Sequence, residues 1–166
     1  MKFYTKILFV SIILLCSCRG KLSEEIVFFE NYDLSTGEYK LLVFGEEGLW
    51  IDDYQDFYID DIETLKKMQK QWIFKYKSDI SACGYGYSIM LVDSDKVLKE
   101  AAVNIERDCE YMSGWIYFPK KYLSDHRAYF KRMSENEKNS FLEKYKKNNR
   151  IFVALNISQV FNKCGT

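Results

Sequence analysis

The sequence is poor in two residues that often mark a particular class of protein. Pro119 is the only proline and His126 the only histidine among 166 residues. So little proline, together with 17% aromatic residues, is unlike the composition of a disordered or low-complexity chain. A single histidine excludes a histidine-rich zinc site, and no G-x-S-x-G segment provides the nucleophile motif of a serine hydrolase. The composition therefore predicts a folded domain without a recognisable catalytic motif.

The chain begins with a short apolar run. Residues 7–15 are apolar apart from Ser11, and they follow Lys2 and Lys6. This length suits the core of a signal peptide, whereas a helix needs about 20 apolar residues to cross a bilayer. Residues 1–17 are therefore predicted to be a cleaved export signal.

Residues 15–18 read Leu-Cys-Ser-Cys. Here the sequence resembles a bacterial lipoprotein, whose lipobox ends in an apolar residue, two small residues and a cysteine. The resemblance is confined to residues 1–18 and implies a diacylglycerol on the sulfur of Cys18, hence a membrane partner and a place in the bacterial cell envelope. Arg19 stands where some lipoproteins carry the aspartate that retains them at an inner membrane, which favours the outer membrane. An ordinary cut after Gly20 and an uncleaved anchor remain as alternatives.

The remainder of the chain is long enough for one domain with a hydrophobic core. A tether at residues 18–24 and a single domain at residues 25–166 are predicted. Residues 18–63 carry a net charge of −10, whereas residues 64–166 carry +8. Such asymmetry indicates either a charged binding face or two segments that neutralise each other within one fold, and the second interpretation is favoured. The lysines are too dispersed to indicate nucleic acid as a partner.

Three cysteines remain once Cys16 leaves with the signal and Cys18 is lipidated. An oxidising envelope favours disulfides. The predicted strands bring Cys83 and Cys109 to the same end of a hairpin, so a disulfide between these two is predicted and Cys164 is left over. No C-x₂-C pair is present, and neither a metal nor another cofactor is expected.

Hydrophobic periodicity predicts an α+β fold with a mostly antiparallel sheet and two main helices. The helices are expected at about 61–78 and 135–147, where apolar residues recur every three or four positions. Asp60 and Ser134, each followed three residues later by glutamate, resemble the first residues of capping boxes. Strands are predicted at 25–30, 39–44, 49–59, 85–92, 96–105, 115–118 and 150–157.

The acidic, aromatic stretch at residues 49–63 is the best candidate for a binding site. Clustered aspartates can bind a cation or share general acid and base roles, although the D-x-D-x-D-G spacing of a calcium loop is missing. Interleaved aromatic residues can stack on a sugar ring. The alternative is a solvated strand and turn leading into the N-terminus of a helix, which acidic residues favour. The candidate residues are Asp52, Asp53, Asp56, Asp60, Trp50 and Tyr54.

These patterns indicate a membrane-anchored lipoprotein that acts as a binding or interaction module in the envelope, with another protein as its expected partner. Binding is favoured over catalysis because one histidine and no nucleophile motif offer little to an enzyme. One alternative is a carboxylate-dependent hydrolase of envelope glycans that uses residues among Asp52, Asp53, Asp56 and Asp60. Another is a structural component of the envelope that needs no specific ligand.

Overall fold

A computed structural model describes residues 26–29, 32–76, 84–94, 96–106, 109–113 and 116–145. The predicted signal, the lipidation site at Cys18, the tether at 18–24, Cys83, Cys164 and the predicted strand at 150–157 lie outside these residues.

The fold is α+β, which confirms the predicted class. The described strands are β1 (Ile26–Val27), β2 (Tyr39–Gly45), β3 (Phe57–Ile59), β4 (Ile73–Phe74), β5 (Tyr87–Asp93), β6 (Lys96–Asn104), β7 (Tyr111–Met112), β8 (Ile116–Tyr117) and β9 (Lys131–Arg132). Within the described residues, a seven-stranded sheet has the order β8-β7-β6-β5-β2-β3-β9, and a two-stranded sheet pairs β1 with β4. Neighbouring strands run antiparallel in every pairing that the structure describes.

The centre of the sheet is formed by β2, β5 and β6. Both β2 (YKLLVFG) and β5 (YSIMLVD) are nearly continuous apolar runs, as expected of strands that are buried on both faces. The predicted hairpin between β5 and β6 is confirmed, with Asp93 opposite Lys96 beside the turn. Register matters here because a shift by one residue would exchange the two faces of each strand.

Three α-helices and one 3₁₀ helix accompany the sheet in the described part of the chain. They are α1 (Ile62–Gln71), α2 (Lys121–Ser124), the 3₁₀ helix Arg127–Tyr129, and α3 (Glu135–Tyr145). The two longer helices, α1 and α3, correspond to the two that the sequence predicts.

The first helix begins within one residue of its predicted start, but its predicted capping residue and its predicted end are wrong. Its N-cap is Asp61, whose side chain accepts a hydrogen bond of 2.8 Å from the Thr64 N–H, so Asp60 does not open the helix. The helix stops at Gln71 instead of continuing to residue 78. The apolar spacing misleads here because Trp72 and Phe74 are also buried, but from an extended segment that pairs with β1.

The predicted strand at residues 49–59 is also too long, since only Phe57–Ile59 is a strand. Ile51 and Tyr54 exchange backbone hydrogen bonds of 2.8 and 2.9 Å around a two-residue turn. Both turn residues, Asp52 (φ +48°) and Asp53 (φ +75°), are left-handed, as in a type I′ turn. Aspartate tolerates this conformation better than most side chains, so the acidic pair forms a turn and interrupts the strand.

The second capping box is confirmed at the start of α3. The Ser134 N–H and hydroxyl both donate to Glu137 Oε2, at 2.9 and 2.7 Å, and the Glu137 N–H donates to Ser134 Oγ at 3.3 Å. At the other end of α3, the Tyr145 hydroxyl donates to the Ser94 carbonyl in the β5–β6 turn at 2.7 Å. These contacts fix the helix across the sheet.

Two hydrophobic clusters cover opposite faces of the sheet. On one face, Trp72 makes edge-on contacts at 5.3–5.4 Å with three phenylalanine rings, which belong to Phe28, Phe29 and Phe118. On the other face, the α3 side chains Phe141, Leu142 and Tyr145 pack with Leu42, Met90 and Val92. The sheet is therefore an interior layer, and the loops at its ends carry the exposed features.

Candidate functional site

The acidic stretch packs against the segment that runs from Lys120 to Lys138. This segment provides a different basic side chain for each predicted aspartate, and we call the resulting contact the acid–base seam. The pairs are Asp52–Lys120 (3.4 Å), Asp53–Arg127 (2.8 Å), Asp56–Lys138 (2.8 Å) and Asp60–Lys131 (2.7 Å). The expectation that the acidic and basic segments neutralise each other within one fold is confirmed for these residues.

The pairs of the seam differ in burial. The side chains of Asp56 and Lys138 are only 12% and 24% exposed, and Asp56 Oδ1 also accepts the Gly45 N–H at 3.2 Å. The Asp53 side chain, in contrast, is 83% exposed. Exposed pairs contribute roughly 0–1 kcal/mol because water and salt screen them, whereas a half-buried and hydrogen-bonded carboxylate is costly to remove. The Asp56 pair is therefore the structural centre of the seam.

Tyr54 is also part of the seam. Its ring makes edge-on contacts with Phe57 at 5.9 Å and with Phe130 at 5.3 Å, and the Arg132 guanidinium lies 5.3 Å from its centroid. Among the described residues, no group of three or more histidine, cysteine, aspartate or glutamate side chains could hold a metal ion. The predicted aspartates and Tyr54 thus serve mainly to join two parts of the chain.

Trp50 lies in a different place. It is the most exposed of the large apolar side chains in the described part of the chain, at 52%. It lines a cleft of about 500 Å³, which we call the Trp50 cleft, together with Leu49, Tyr87, Ile105, Glu106, Glu110 and Lys120. Trp50 therefore belongs to the cleft, whereas the four aspartates belong to the seam, and the two regions adjoin at Lys120.

The loop after β2 positions Trp50. The Leu49 N–H donates to the Glu46 carbonyl at 3.1 Å and closes a turn in which Gly48 has a φ of +86°, a conformation that favours glycine. The Glu46 N–H donates to the Gly86 carbonyl at 2.8 Å, and a side chain at position 86 would collide with Leu49. The loop is thus held closely against the start of β5, which brings Trp50 beside Tyr87.

Two glutamates supply the negative charge of the cleft. Glu110 is held in place because its Oε1 accepts the Lys120 N–H and its Oε2 accepts the Tyr117 hydroxyl, each at 3.1 Å. Glu106 is exposed, and its own N–H donates to Asn104 Oδ1 at 2.9 Å. The basic residue of the cleft, Lys120, is paired with Asp52 of the seam. The described lining of the cleft therefore has an excess of negative charge.

The floor of the cleft is apolar and neutral. Tyr87 and Ile105 are buried, and Leu49 packs against the core. Burial, assisted by the negative charge of Glu106, raises the pKa of Tyr87 to about 12, so its hydroxyl stays protonated at neutral pH. The described lining contains no histidine, cysteine or serine.

A second groove of about 620 Å³ lies between the N-terminus of α1 and the 3₁₀ helix. Its lining includes Asp60, Asp61, Tyr129 and Lys131. The charged groups in this groove already bind one another or the backbone, since Asp60 holds Lys131 and Asp61 caps α1. It therefore offers fewer unused polar groups than the Trp50 cleft.

The predicted disulfide between Cys83 and Cys109 stays a prediction, because Cys83 lies outside the described residues. The next residue, Gly84, has a carbonyl that accepts hydrogen bonds from Asn104 Nδ2 at 3.1 Å and from the Tyr111 hydroxyl at 2.6 Å. Asn104 ends β6 and Tyr111 begins β7, so Gly84 lies against the two strand ends that flank Cys109.

Sequence reasoning found Trp50 but missed the other walls of the cleft. Tyr87 reads as an ordinary strand residue, and Glu106, Glu110 and Lys120 read as surface charges. No local signal marks them, because they meet Trp50 only through long-range pairing of strands. A tryptophan inside an acidic, aromatic stretch was the single usable indication.

The described part of the chain defines an α+β domain with an aromatic, carboxylate-rimmed cleft. No family model, curated protein or solved structure shows significant similarity to this chain. No helix within the described ranges is long and apolar enough to cross a membrane. Inference about function therefore depends on the cleft and on the N-terminal sequence.

Proposed function

We propose that the protein is a lipid-anchored interaction protein of the bacterial envelope, and that its domain binds another protein through the Trp50 cleft. The observation that carries this proposal is the half-exposed indole at a cleft with an apolar floor and a polar rim. Tryptophan is among the residues most enriched in the energetic centres of protein interfaces. Among the large apolar side chains of the described ranges Trp50 is the most exposed, and its place at a cleft suits it to an interface.

The lipobox supports the anchor. Cys18 precedes the first described strand by eight residues, from Cys18 to Ile26. A chain of this length spans at most about 30 Å when fully extended, so the domain would stay close to the membrane that holds the lipid. Arg19 favours the outer membrane. The proposed partner accordingly belongs to the same compartment of the envelope.

The geometry gives more support to binding than to the two alternatives. A glycan hydrolase of the expected kind would need carboxylates with unsatisfied charge, whereas each of its four candidate aspartates holds a basic side chain. These aspartates are Asp52, Asp53, Asp56 and Asp60. A purely structural component would have no need of a cleft that combines the exposed indole of Trp50 with the Glu110 carboxylate, which a hydrogen bond from the Lys120 N–H holds in place.

The anchor is tested by replacing each N-terminal cysteine in the full chain, produced in a bacterial host. Cys18→Ser should release the protein from the membrane fraction, because the lipid attaches to that sulfur. Cys16→Ser is the matched control and should stay in the membrane, because Cys16 leaves with the signal. The intact mass of the extracted wild type should equal residues 18–166 plus acyl chains. A lipid-free mass beginning at Lys21, or a Cys18→Ser protein that stays membrane-bound, would contradict the proposal.

The binding function is tested by chemical cross-linking in envelope extract followed by identification of the captured protein. Trp50→Ala should lose a partner that the wild type captures reproducibly. Tyr129→Ala is the control, because Tyr129 is similarly exposed, at 42%, but lines the second groove. Equal capture by the Trp50→Ala variant, or no capture by the wild type, would argue against the cleft as the interface.

A further inference from the structure

We propose that the Trp50 cleft recognises a cationic side chain of its partner, an arginine above all, between the indole face of Trp50 and the carboxylates of Glu106 and Glu110. This inference rests on the proposed function, since it names the chemistry that the partner presents to the same cleft.

The charge balance of the cleft is the first argument. Glu106 and Glu110 both line it, and the structure places no basic side chain in an ion pair with either of them among the described residues. Lys120, the basic residue of the lining, is paired with Asp52 at 3.4 Å. An anionic partner would be repelled. A purely apolar partner would displace water from the carboxylates without replacing the hydrogen bonds that the water made. A cation supplies the missing opposite charge.

The exposed indole is the second argument. The face of a tryptophan attracts a cation that lies within about 6 Å of its centre, and the attraction is stronger where the site excludes water. Arginine suits this surface particularly well, since its planar guanidinium stacks on an aromatic face while its N–H groups donate to a carboxylate. Trp50 and the two glutamates provide both elements in one cleft.

The third argument is that the Glu110 carboxylate is preorganised before a partner binds. Its two oxygens accept hydrogen bonds from the Lys120 N–H and the Tyr117 hydroxyl, and each oxygen keeps a lone pair for a further donor. A group that is already oriented loses little freedom when a ligand binds, which increases affinity.

A related arrangement, in which one guanidinium lies on an aromatic ring and donates to a backbone carbonyl, occurs inside the domain. In the seam, the Arg132 guanidinium lies 5.3 Å from the centre of the Tyr54 ring and donates to the Asp53 carbonyl at 2.9 Å. Beside it, Arg127 pairs with the Asp53 carboxylate at 2.8 Å. In the Trp50 cleft, the aromatic face and the acids are present, and the partner would bring the guanidinium.

The test is a titration of the full chain, purified in detergent micelles, with the peptide acetyl-Gly-Arg-Gly-amide, followed by indole fluorescence. The same peptide with citrulline in place of arginine keeps the shape and removes the charge, and chitobiose is the neutral sugar probe. We expect a saturable change with the arginine peptide, at least tenfold weaker binding of the citrulline peptide, and weaker binding in 0.5 M NaCl. Trp50→Phe should abolish the fluorescence change.

Charge-removing variants make the test specific. Glu106→Gln with Glu110→Gln should weaken binding of the arginine peptide at least tenfold. Glu47→Gln is the matched control, because Glu47 is exposed in the neighbouring loop and does not line the cleft. Glu106→Gln alone, at an exposed position, covers the case in which the double variant does not fold. Glutamine at position 110 can still accept the Lys120 N–H through its amide oxygen.

Several outcomes would overturn the inference. They are equal binding of the citrulline peptide, preferential binding of chitobiose, no binding of any probe, or unchanged arginine binding in the Glu106→Gln, Glu110→Gln variant. The cross-linking experiment separates this failure from failure of the proposed function. A partner captured through Trp50 but indifferent to both glutamates would leave the interface standing and remove only the cationic side chain.

Discussion

Trp72 and Trp50 represent two regions of the molecule that use the same side chain differently. Trp72 is fully buried and contacts the rings of Phe28, Phe29, Phe74 and Phe118, whereas Trp50 is 52% exposed at the edge of a cleft. The first holds the β1–β4 ribbon and α1 against the sheet. The contrast indicates that Trp72 serves stability and that Trp50 is free to serve a partner.

The largest expected difference between the two regions is in stability. Trp72→Ala should lower the free energy of unfolding by about 3–5 kcal/mol, because it leaves a large cavity among aromatic rings. Trp50→Ala should change it by no more than about 0.5 kcal/mol, as is usual for exposed positions. Urea denaturation of both variants measures this directly. A loss above about 2 kcal/mol for Trp50→Ala would show that the cleft is part of the core.

The predicted disulfide extends the comparison to the wall of the cleft. Cys109 precedes Glu110, and its N–H donates to the Glu106 carbonyl at 3.0 Å, so a link to Cys83 would fix both glutamates relative to β5. Closing a loop of this size contributes roughly 3–4 kcal/mol in the chain-entropy account. Cys109→Ser should lose about that much stability in urea denaturation and should also weaken binding at Trp50.

The control for this prediction is Cys164→Ser, which should leave both stability and binding unchanged. The intact mass of the wild type should rise by two hydrogens on reduction, and peptide mapping should join Cys83 to Cys109. A wild-type mass that does not change on reduction would exclude the disulfide.

The acid–base seam offers a smaller contrast, between a half-buried and an exposed pair. Asp56→Asn should lower the free energy of unfolding by about 1–3 kcal/mol, because Lys138 would lose its partner where water replaces it poorly. Asp53→Asn should cost no more than about 0.5 kcal/mol, since the side chain is 83% exposed and asparagine also tolerates a positive φ. Thermal or urea denaturation of both variants should give this order. Equal losses would mean that burial does not determine how much each pair of the seam contributes to stability.

The smallest expected effect is a pH dependence of the free energy of unfolding that arises from the buried His126. Burial lowers the pKa of His126 from its ordinary 6.5, while Asp125 opposes the shift and Lys67 adds to it. The ring nitrogen Nε2 lies 3.2 Å from Gln71 Oε1. Below about pH 6.5 the unfolded chain therefore binds more protons at His126 than the folded chain does.

The free energy of unfolding should accordingly decrease as the pH falls from about 6.5 toward the lowered pKa of His126. His126→Gln should reduce this dependence, because it removes the titrating ring from the buried position. Urea denaturation between pH 5.5 and 7.5 compares the two slopes. Identical slopes for wild type and variant would assign the pH dependence to other groups.

Features that depend on neighbours in sequence were predictable. The β5–β6 hairpin follows from the turn sequence Asp93-Ser94-Asp95 between two predicted strands, and the capping box of α3 follows from Ser134 and Glu137 alone. The end of α1 was not predictable from spacing, because Trp72 is buried equally well from an extended segment. The turn at Asp52 and Asp53 was missed because aspartate rarely signals a break as strongly as glycine does.

The candidate site was predictable only in part, for a related reason. The aspartates of residues 49–63 and the basic residues that neutralise them lie far apart in sequence, so charge asymmetry predicted their contact but not the individual pairs. The walls of the Trp50 cleft come from four separate parts of the chain. Only the three-dimensional pairing of strands brings Glu106, Glu110 and Lys120 to the tryptophan.

The two edges of the seven-stranded sheet have a consequence for how copies of the domain behave when they are crowded together. At one edge, β9 is two residues long, and both residues, Lys131 and Arg132, are exposed and positively charged. At the other edge, β8 is equally short, and its Ile116 is bridged by Tyr76. Long uncharged edge strands are where β-aggregation between chains begins. The described sheet presents no such edge, which disfavours edge-to-edge pairing between copies of the domain.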